Sequence, residues 1–311
     1  MPEQYIICRP DAGLTDMLTQ IEMTHRYAEQ TNRIVVVDTD YKHSFFFRDN
    51  FSKYFTSKDD RLTLDISHIL KPIDEMTTFP SVLSGRASSY KPLWSDTIGN
   101  WVDAETYIQL SFDMRKKYNE NILIHHQCGG NQSALFALTK LTVREEILDL
   151  LAERIDAIGS PFSAIHIRNT DYKTNYRAAV DLLKNSITFP VFIATDNLEC
   201  RNYCISAFGE RNVRFFSCLP DDGKPIHLNH SFSSLFSRNA DSILDLLTLA
   251  LSSKFYKINL DGSLHGTQFS GYSILAENLI TYDGILVSLL GTSSRAKSIL
   301  QRAFTWRKSA R

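Results

Sequence analysis

The chain is 311 residues long, more than one compact core usually needs and enough for two domains. Apolar residues make up 43% and charged residues 22%, a balance that excludes a disordered or fibrous chain. The formal net charge of -1 provides no general basic field, so nucleic acid is not expected as a partner and any anion must be met by local groups.

Residues 5–8 read as a strand, a turn-rich segment follows over 9–16, and a helix over 17–30 with a strand over 34–37 completes a βαβ unit. Ser, Asp, Pro and Lys crowd residues 56–103 without a clean period, which predicts loops and short helices. A strand is expected over 122–126. Thr142 with Glu145 makes a capping-box pattern, and Ile147, Leu148, Leu151, Ile155 and Ile158 recur at helical spacing beyond it. Gly159, Ser160 and Pro161 then punctuate the chain, so an amino-terminal domain is expected over 1–158. The alternation starts again after them, with strands at 162–167, 190–195, 213–217 and 255–260 and helices at 175–184, 198–208, 241–251 and after Ser270. The pattern predicts an α/β fold of two Rossmann-like halves, the second over 159–292. Residues 293–311 form a basic amphipathic tail in which Arg295, Lys297, Arg302, Arg307, Lys308 and Arg311 interleave with Ile299, Leu300, Phe304 and Trp306. Such a tail suits contact with an anionic membrane surface, or packing as a final helix on the first domain.

The five cysteines, Cys8, Cys128, Cys200, Cys204 and Cys218, sit mostly in apolar runs and read as reduced thiols. A cytoplasmic location follows as an expectation, at the inner membrane face if the tail binds there. Residues 1–4 are polar, so no signal peptide is expected, and no stretch approaches the ~20 apolar residues of a membrane span.

Ligands of open parallel sheets bind beyond the carboxyl ends of the strands. After the first strand, Asp11, Ala12 and Gly13 lead towards a helix whose amino terminus suits a phosphate or a hydroxyl, unless the glycine only makes a turn. The strand over 162–167 ends in His166, Ile167, Arg168, Asn169, Thr170, Asp171 and Tyr172, and alternation turns His166 and Arg168 to one side. A buried Arg needs a partner: Asp171 as a structural ion pair, or a bound diphosphate gripped bidentately. Thr195, Asp196 and Asn197 close the next strand, as a helix cap or as nucleotide ligands. Asp241 and Ser242 are expected to open a helix. Gly262, Gly266, Thr267, Gln268, Phe269 and Ser270 precede the next as a phosphate nest or a simple cap.

Together these pieces resemble the fucosyltransferase superfamily, its rhizobial nodulation members most closely. Ala12-Gly13-Leu14-Thr15-Asp16, His25-Arg26-Tyr27-Ala28, Thr31-Asn32-Arg33 and Val35-Val36-Val37-Asp38 resemble the family's first loop, helix and strand. His166-Ile167-Arg168 resembles its phosphate-binding His-x-Arg, and the extension through Asp171 and Tyr172 is similar to bacterial α-1,2-fucosyltransferases. Val191-Phe192-Ile193-Ala194-Thr195-Asp196, the run from Asp241 and Ser242 through Asp245, and Thr267-Gln268-Phe269-Ser270 complete the order.

The resemblance implies a GT-B fold, two Rossmann-like domains facing a central cleft with the first on the acceptor side. It implies GDP-fucose as nucleotide-sugar donor, an oligosaccharide or lipid-linked glycan as acceptor, inversion at the anomeric carbon, no metal or other cofactor, and work in bacterial surface or signalling polysaccharide synthesis. Arg168 would stabilise the leaving diphosphate, with Thr267 and Ser270 donating to it and His166 supporting the site from within the sheet. Asp241, Ser242 and Asp245 would lie near the nucleotide. The acceptor hydroxyl needs a base, for which Asp11, Asp16, His125, His126 and Asp171 are candidates and Asp16 the nominee. Asn169 and Thr15 depart from the family pattern, which often has a basic residue and a glycine there, and bear on the donor sugar.

Two other functions fit parts of the sequence. Asp38-Thr39-Asp40 matches the Asp-x-Asp by which GT-A transferases hold a divalent cation. The same scaffold also suits a catalytically silent glycan- or nucleotide-binding protein.

Overall fold

The computed structural model describes residues 4–130, 133–219, 234–261 and 267–309. Two compact units divide the chain, residues 1–144 and 145–311. The first runs β1 (Tyr5–Cys8), α1 (Leu14–Thr31), β2 (Ile34–Val37), β3 (Phe55–Ser57), β4 (Leu62–Thr63), α2 (Ser67–Leu70), β5 (Thr78–Phe79), β6 (Pro92–Ser95), β7 (Asn100–Asp103), β8 (Ile122–His125), α3 (Ala134–Leu138) and β9 (Leu141–Val143). Its main sheet is parallel in the order β4-β2-β1-β8-β5, with Cys8 level with Val37 on one side and His125 on the other. β1 and β8 are buried throughout, as apolar runs without alternation are in a sheet covered on both faces. α1 starts three residues before the expected position because Gly13, extended at φ -66°, serves as its N-cap. It ends on Asn32, left-handed at φ 57°, whose N–H bonds the Ala28 carbonyl.

Residues 56–103 hold more strand than their composition suggests. β4 and β5 are two residues each, too short to show a period, and take their pairing from β2 and β8. β6 and β7 form an antiparallel hairpin, and β3 pairs with β9. Thr142 lies in β9 opposite Thr56, so it does not cap the following helix.

The second unit runs α4 (Glu145–Ile158), β10 (Ser163–Ile167), α5 (Tyr176–Leu183), β11 (Val191–Thr195), α6 (Leu198–Phe208), β12 (Val213–Arg214), α7 (Leu235–Leu251), β13 (Lys254–Lys257), α8 (Gly271–Thr281), α9 (Asp283–Leu290) and α10 (Ser294–Ser309). A parallel sheet in the order β12-β11-β10-β13 carries the unit, with His166 level with Ala194 and Lys257. Ile165, Ile167, Val180, Ile193, Cys200 and Cys204 pack one of its faces, and burying each large aliphatic side chain stabilises by about 1.5–3 kcal/mol.

α4, which the sequence assigns to the first half, groups with the second unit, where it packs on α7 and α10. α7 opens six residues before Asp241, at Leu235, with Ser234 Oγ accepting the Ser237 N–H at 3.3 Å as its cap. α10 turns Ala296, Ile299, Leu300 and Ala303 into the unit, and Arg302 and Arg295 pair with Asp156 and Asp149 of α4. Four of the five cysteines are covered or half-covered and Cys218 is exposed. Burial pushes the Cys8, Cys200 and Cys204 thiols up to about 12. Among the described residues no single helix is long and apolar enough to cross a membrane.

Candidate functional site

β10 is buried along its length, so its alternating pair His166 and Arg168 meets protein before solvent. His166 Nδ1 lies 2.6 Å from Ser273 Oγ and 3.4 Å from Ser270 Oγ, and its ring rests against Tyr272 at 4.9 Å between centroids. Burial, then the charge of Arg168, pushes the imidazole down to about 3 and keeps it neutral. Its work is therefore positional: it ties the first turn of α8 to β10. Ser270 caps that helix, its Oγ accepting the Ser273 N–H at 3.2 Å, so α8 starts beside His166, near the carboxyl end of β10.

Arg168 follows the last residue of β10. Its Nε is 3.1 Å from Asp196 Oδ2 and its Nη2 is 2.8 Å from Asp171 Oδ2. Asp196 also accepts the Asn169 N–H at 2.8 Å and the Thr170 hydroxyl at 2.6 Å, so one carboxylate after β11 orders the whole turn after β10. Burial works against the guanidinium charge, Asp196 and Asp171 outweigh it, and the pKa of Arg168 rises. The two partners differ in exposure. The Asp196 side chain is 7% exposed, whereas that of Asp171 is 39% exposed, at the solvent edge, where it also accepts the Tyr172 N–H at 3.0 Å. Thr195 accepts the Asn197 N–H at 3.2 Å, and Asn197 caps α6 by accepting from Cys200 at 3.0 Å, so these groups make the turn.

Asp241, Ser242 and Asp245 lie inside α7. Arg154 of α4 reaches Asp241 at 2.5 Å and Asp245 at 2.6 Å, and Ser217 donates to Asp245 at 2.7 Å. Burial pushes Asp245 up to about 6 against the pull of Arg154. Ser242 meets the cluster through its carbonyl, which accepts from Tyr272 at 2.5 Å. Arg154, Tyr272 and Ser273 escaped the sequence reading. Arg154 had a signal: it falls three residues after Leu151 and four before Ile158, on the apolar stripe of α4 where a cation demands a partner. In the last loop Thr267 and Gln268 are exposed, the Gln268 carbonyl accepts the Leu260 N–H at 2.9 Å, and Phe269 lies under Lys257 at 4.3 Å. Gly262 and Gly266 lie outside the described residues.

In the first unit the strand-end groups are mostly committed. Asp11 is fully buried and accepts the N–H groups of Phe45 and Phe46 at 2.9 Å each. His126 bonds Tyr90 at 2.9 Å, and His125 is held between Gln20 at 2.6 Å and Ser111 at 2.9 Å, with burial pushing its pKa down to about 3. Gly13 and Asp16 open α1, and Asp16 is exposed on its first turn. Of the Asp-x-Asp, Asp38 is bound at 2.7 Å by Arg9, itself buried beneath the Tyr41 ring. Asp40 is exposed. A cavity of about 450 Å³ opens there, lined by Asp38, Thr39, Asp40, Tyr41, Asn50 and Ser88 with apolar neighbours.

The second sheet therefore gathers a fixed cation, a carboxylate that orders its turn and a capped helix amino terminus at one end. Solved structures share the arrangement of the chain. NodZ from Bradyrhizobium matches at TM-score 0.58 and 15% identity over 90% of this chain and 93% of its own. NodZ α-1,6-fucosyltransferase co-crystallised with GDP matches at 0.57 and 14% over 90% and 93%. POFUT1 in complex with GDP-fucose matches at 0.50 and 12% over 95% and 97%. The chain has the GT-B fold of these fucosyltransferases. No family model and no curated sequence matches it. In a GT-B chain the carboxyl edge of the second sheet, with Arg168 and α8, is the natural place to look for a nucleotide.

Proposed function

We propose that this chain transfers fucose from GDP-fucose to a hydroxyl of a glycan acceptor. The observation that carries this is Arg168, held by Asp196 just past the carboxyl end of β10, the strand whose His166 meets the capped first turn of α8. Support comes from the shared fold, since NodZ was co-crystallised with GDP and POFUT1 was solved with GDP-fucose. In transfer, the bond from the anomeric carbon to the diphosphate oxygen breaks and its electron pair stays with GDP. Arg168 and the α8 N–H groups meet that growing negative charge, an interaction stronger in the transition state than before it. The acceptor oxygen forms the new bond from the opposite face, which inverts the centre, and Asp16 takes its proton. In this proposal the leaving group is balanced by Arg168, and Asp38 plays no part because Arg9 already holds it.

An oligosaccharide or lipid-linked glycan is the acceptor in this proposal, on the cytoplasmic side. Membrane contact, if the acceptor requires it, would rest on the exposed Lys297 and Lys308, because α10 packs its aliphatic residues inwards. The test is a thermal-shift comparison of GDP, UDP, CMP and ADP on wild type and Arg168→Ala, followed by donor hydrolysis. GDP is expected to stabilise wild type most and the variant least. Equal GDP stabilisation of both proteins would sink the donor-site assignment.

A further inference from the structure

α1 carries His25 and Glu29 one turn apart, which puts both side chains on one helix face, and the turn between β3 and β4 brings Asp59 up to the same place. His25 is completely buried, yet neither of its ring nitrogens has a hydrogen-bond partner. Asp59 Oδ2 stands 3.0 Å from Nε2 without hydrogen-bond geometry, and Glu29 Oε2 is 3.8 Å from Nδ1. A neutral imidazole offers one donor and one acceptor, and burying both unmet is unfavourable unless something else occupies the space.

We propose that His25, Glu29 and Asp59 form a divalent-cation site, suited to zinc, that ties α1 to the turn between β3 and β4. One ligand atom from each residue lies within 4.8 Å of the others. Zinc bonds of about 2.1 Å at tetrahedral angles place ligand atoms about 3.4 Å apart, so Asp59, 3.0 Å from Nε2, already stands near ligand spacing and the exposed Glu29 would turn from the Nδ1 side to join it. An imidazole with two carboxylates matches the ion in donor type, and their two negative charges balance it. Asp59 is oriented for the task by the Arg61 N–H, which its other oxygen accepts at 2.8 Å. Lys140, the nearby cation, has its ammonium on Glu22 at 2.7 Å. Three protein ligands leave one position for water, an open coordination shell, so the structural role rests on the site's place in the fold and not on its ligand count. The site is structural: His25 lies nine residues along α1 from Asp16, about 14 Å of helix.

The experiment treats the full chain with a chelator, removes the chelator, and follows Tm on adding ZnCl2 or MgCl2, with calorimetric titration of zinc for stoichiometry. Wild type is expected to bind one zinc tightly and to gain about 5 °C or more, with no gain from magnesium, which demands six oxygen-rich ligands. Asp59→Asn and Glu29→Gln, near-isosteric changes at a half-buried and an exposed position, are expected to fold and to lose that gain. The proposal is overturned if zinc leaves the wild-type Tm unchanged, or if either variant gains as much as wild type.

Discussion

Arg168 carries two carboxylates on one guanidinium, and in the proposed donor site the two would oppose each other. Asp196 fixes the cation, while Asp171 occupies the edge a diphosphate would use. Arg168→Ala is expected to lower the transfer rate about 10²–10³-fold, as loss of a charge-stabilising donor does, with the circular dichroism spectrum unchanged. Asp171→Asn removes the competitor and is expected to tighten GDP binding several-fold in a calorimetric titration. Weaker binding in that variant would mean that Asp171 helps to hold the ligand. The His166 and Arg168 pair was legible from strand alternation alone. Ser273 was not, because a serine in the first turn of a helix has many uses and only the packing of α8 on β10 reveals that it holds His166.

Among the elements, α4 and α7 are joined by one buried cation and two carboxylates. Arg154→Met is expected to destabilise the protein by about 3–5 kcal/mol in urea unfolding, because it strands two covered acids. The pH dependence of that pair has a definite sign. Asp245 is pushed up to about 6 from 3.8, so between those values the folded state holds a proton that the unfolded state has released. Its contribution therefore falls as pH rises from about 4 to about 6, at up to about 1.4 kcal/mol per pH unit. Subtracting the unfolding curve of Asp245→Asn from that of wild type over this window should isolate the slope. The α7 start was misplaced from sequence because Asp241 and Ser242 look like a cap, whereas Ser234 occupies that position. α6 was read to the residue, since Asn197 and Gly209 mark both of its ends.

At the scale of the whole molecule, the order of alternating strands and helices was legible, because each βα step carries its own turn signal. The short strands β4 and β5 were not, since they exist only through their neighbours. Acid sensitivity is also a whole-molecule property. His125 and His166 are both pushed from 6.5 down to about 3, so the unfolded chain takes up their protons first. Stability from these groups is complete above pH 6.5 and is lost as pH falls towards 3. Two such histidines oppose Asp245, and the net expectation is a Tm that drops from pH 6.5 to pH 5, by less in His166→Asn. Deleting α10 would remove Ile299 and Leu300, which pack into the unit, so membrane recovery is better compared in Lys297→Glu with Lys308→Glu, which leaves the packing intact.

The cysteine pattern offers a handle of its own. Three thiols are shut in the core and Cys128 is half-covered, while Cys218 is exposed and its backbone N–H bonds Asp241 at 3.2 Å. A maleimide dye should therefore attach to Cys218 first, at a known point within the cluster that joins α4 and α7. The native chain thus supplies a single-label fluorescent reporter of changes near Asp241, with no engineered cysteine.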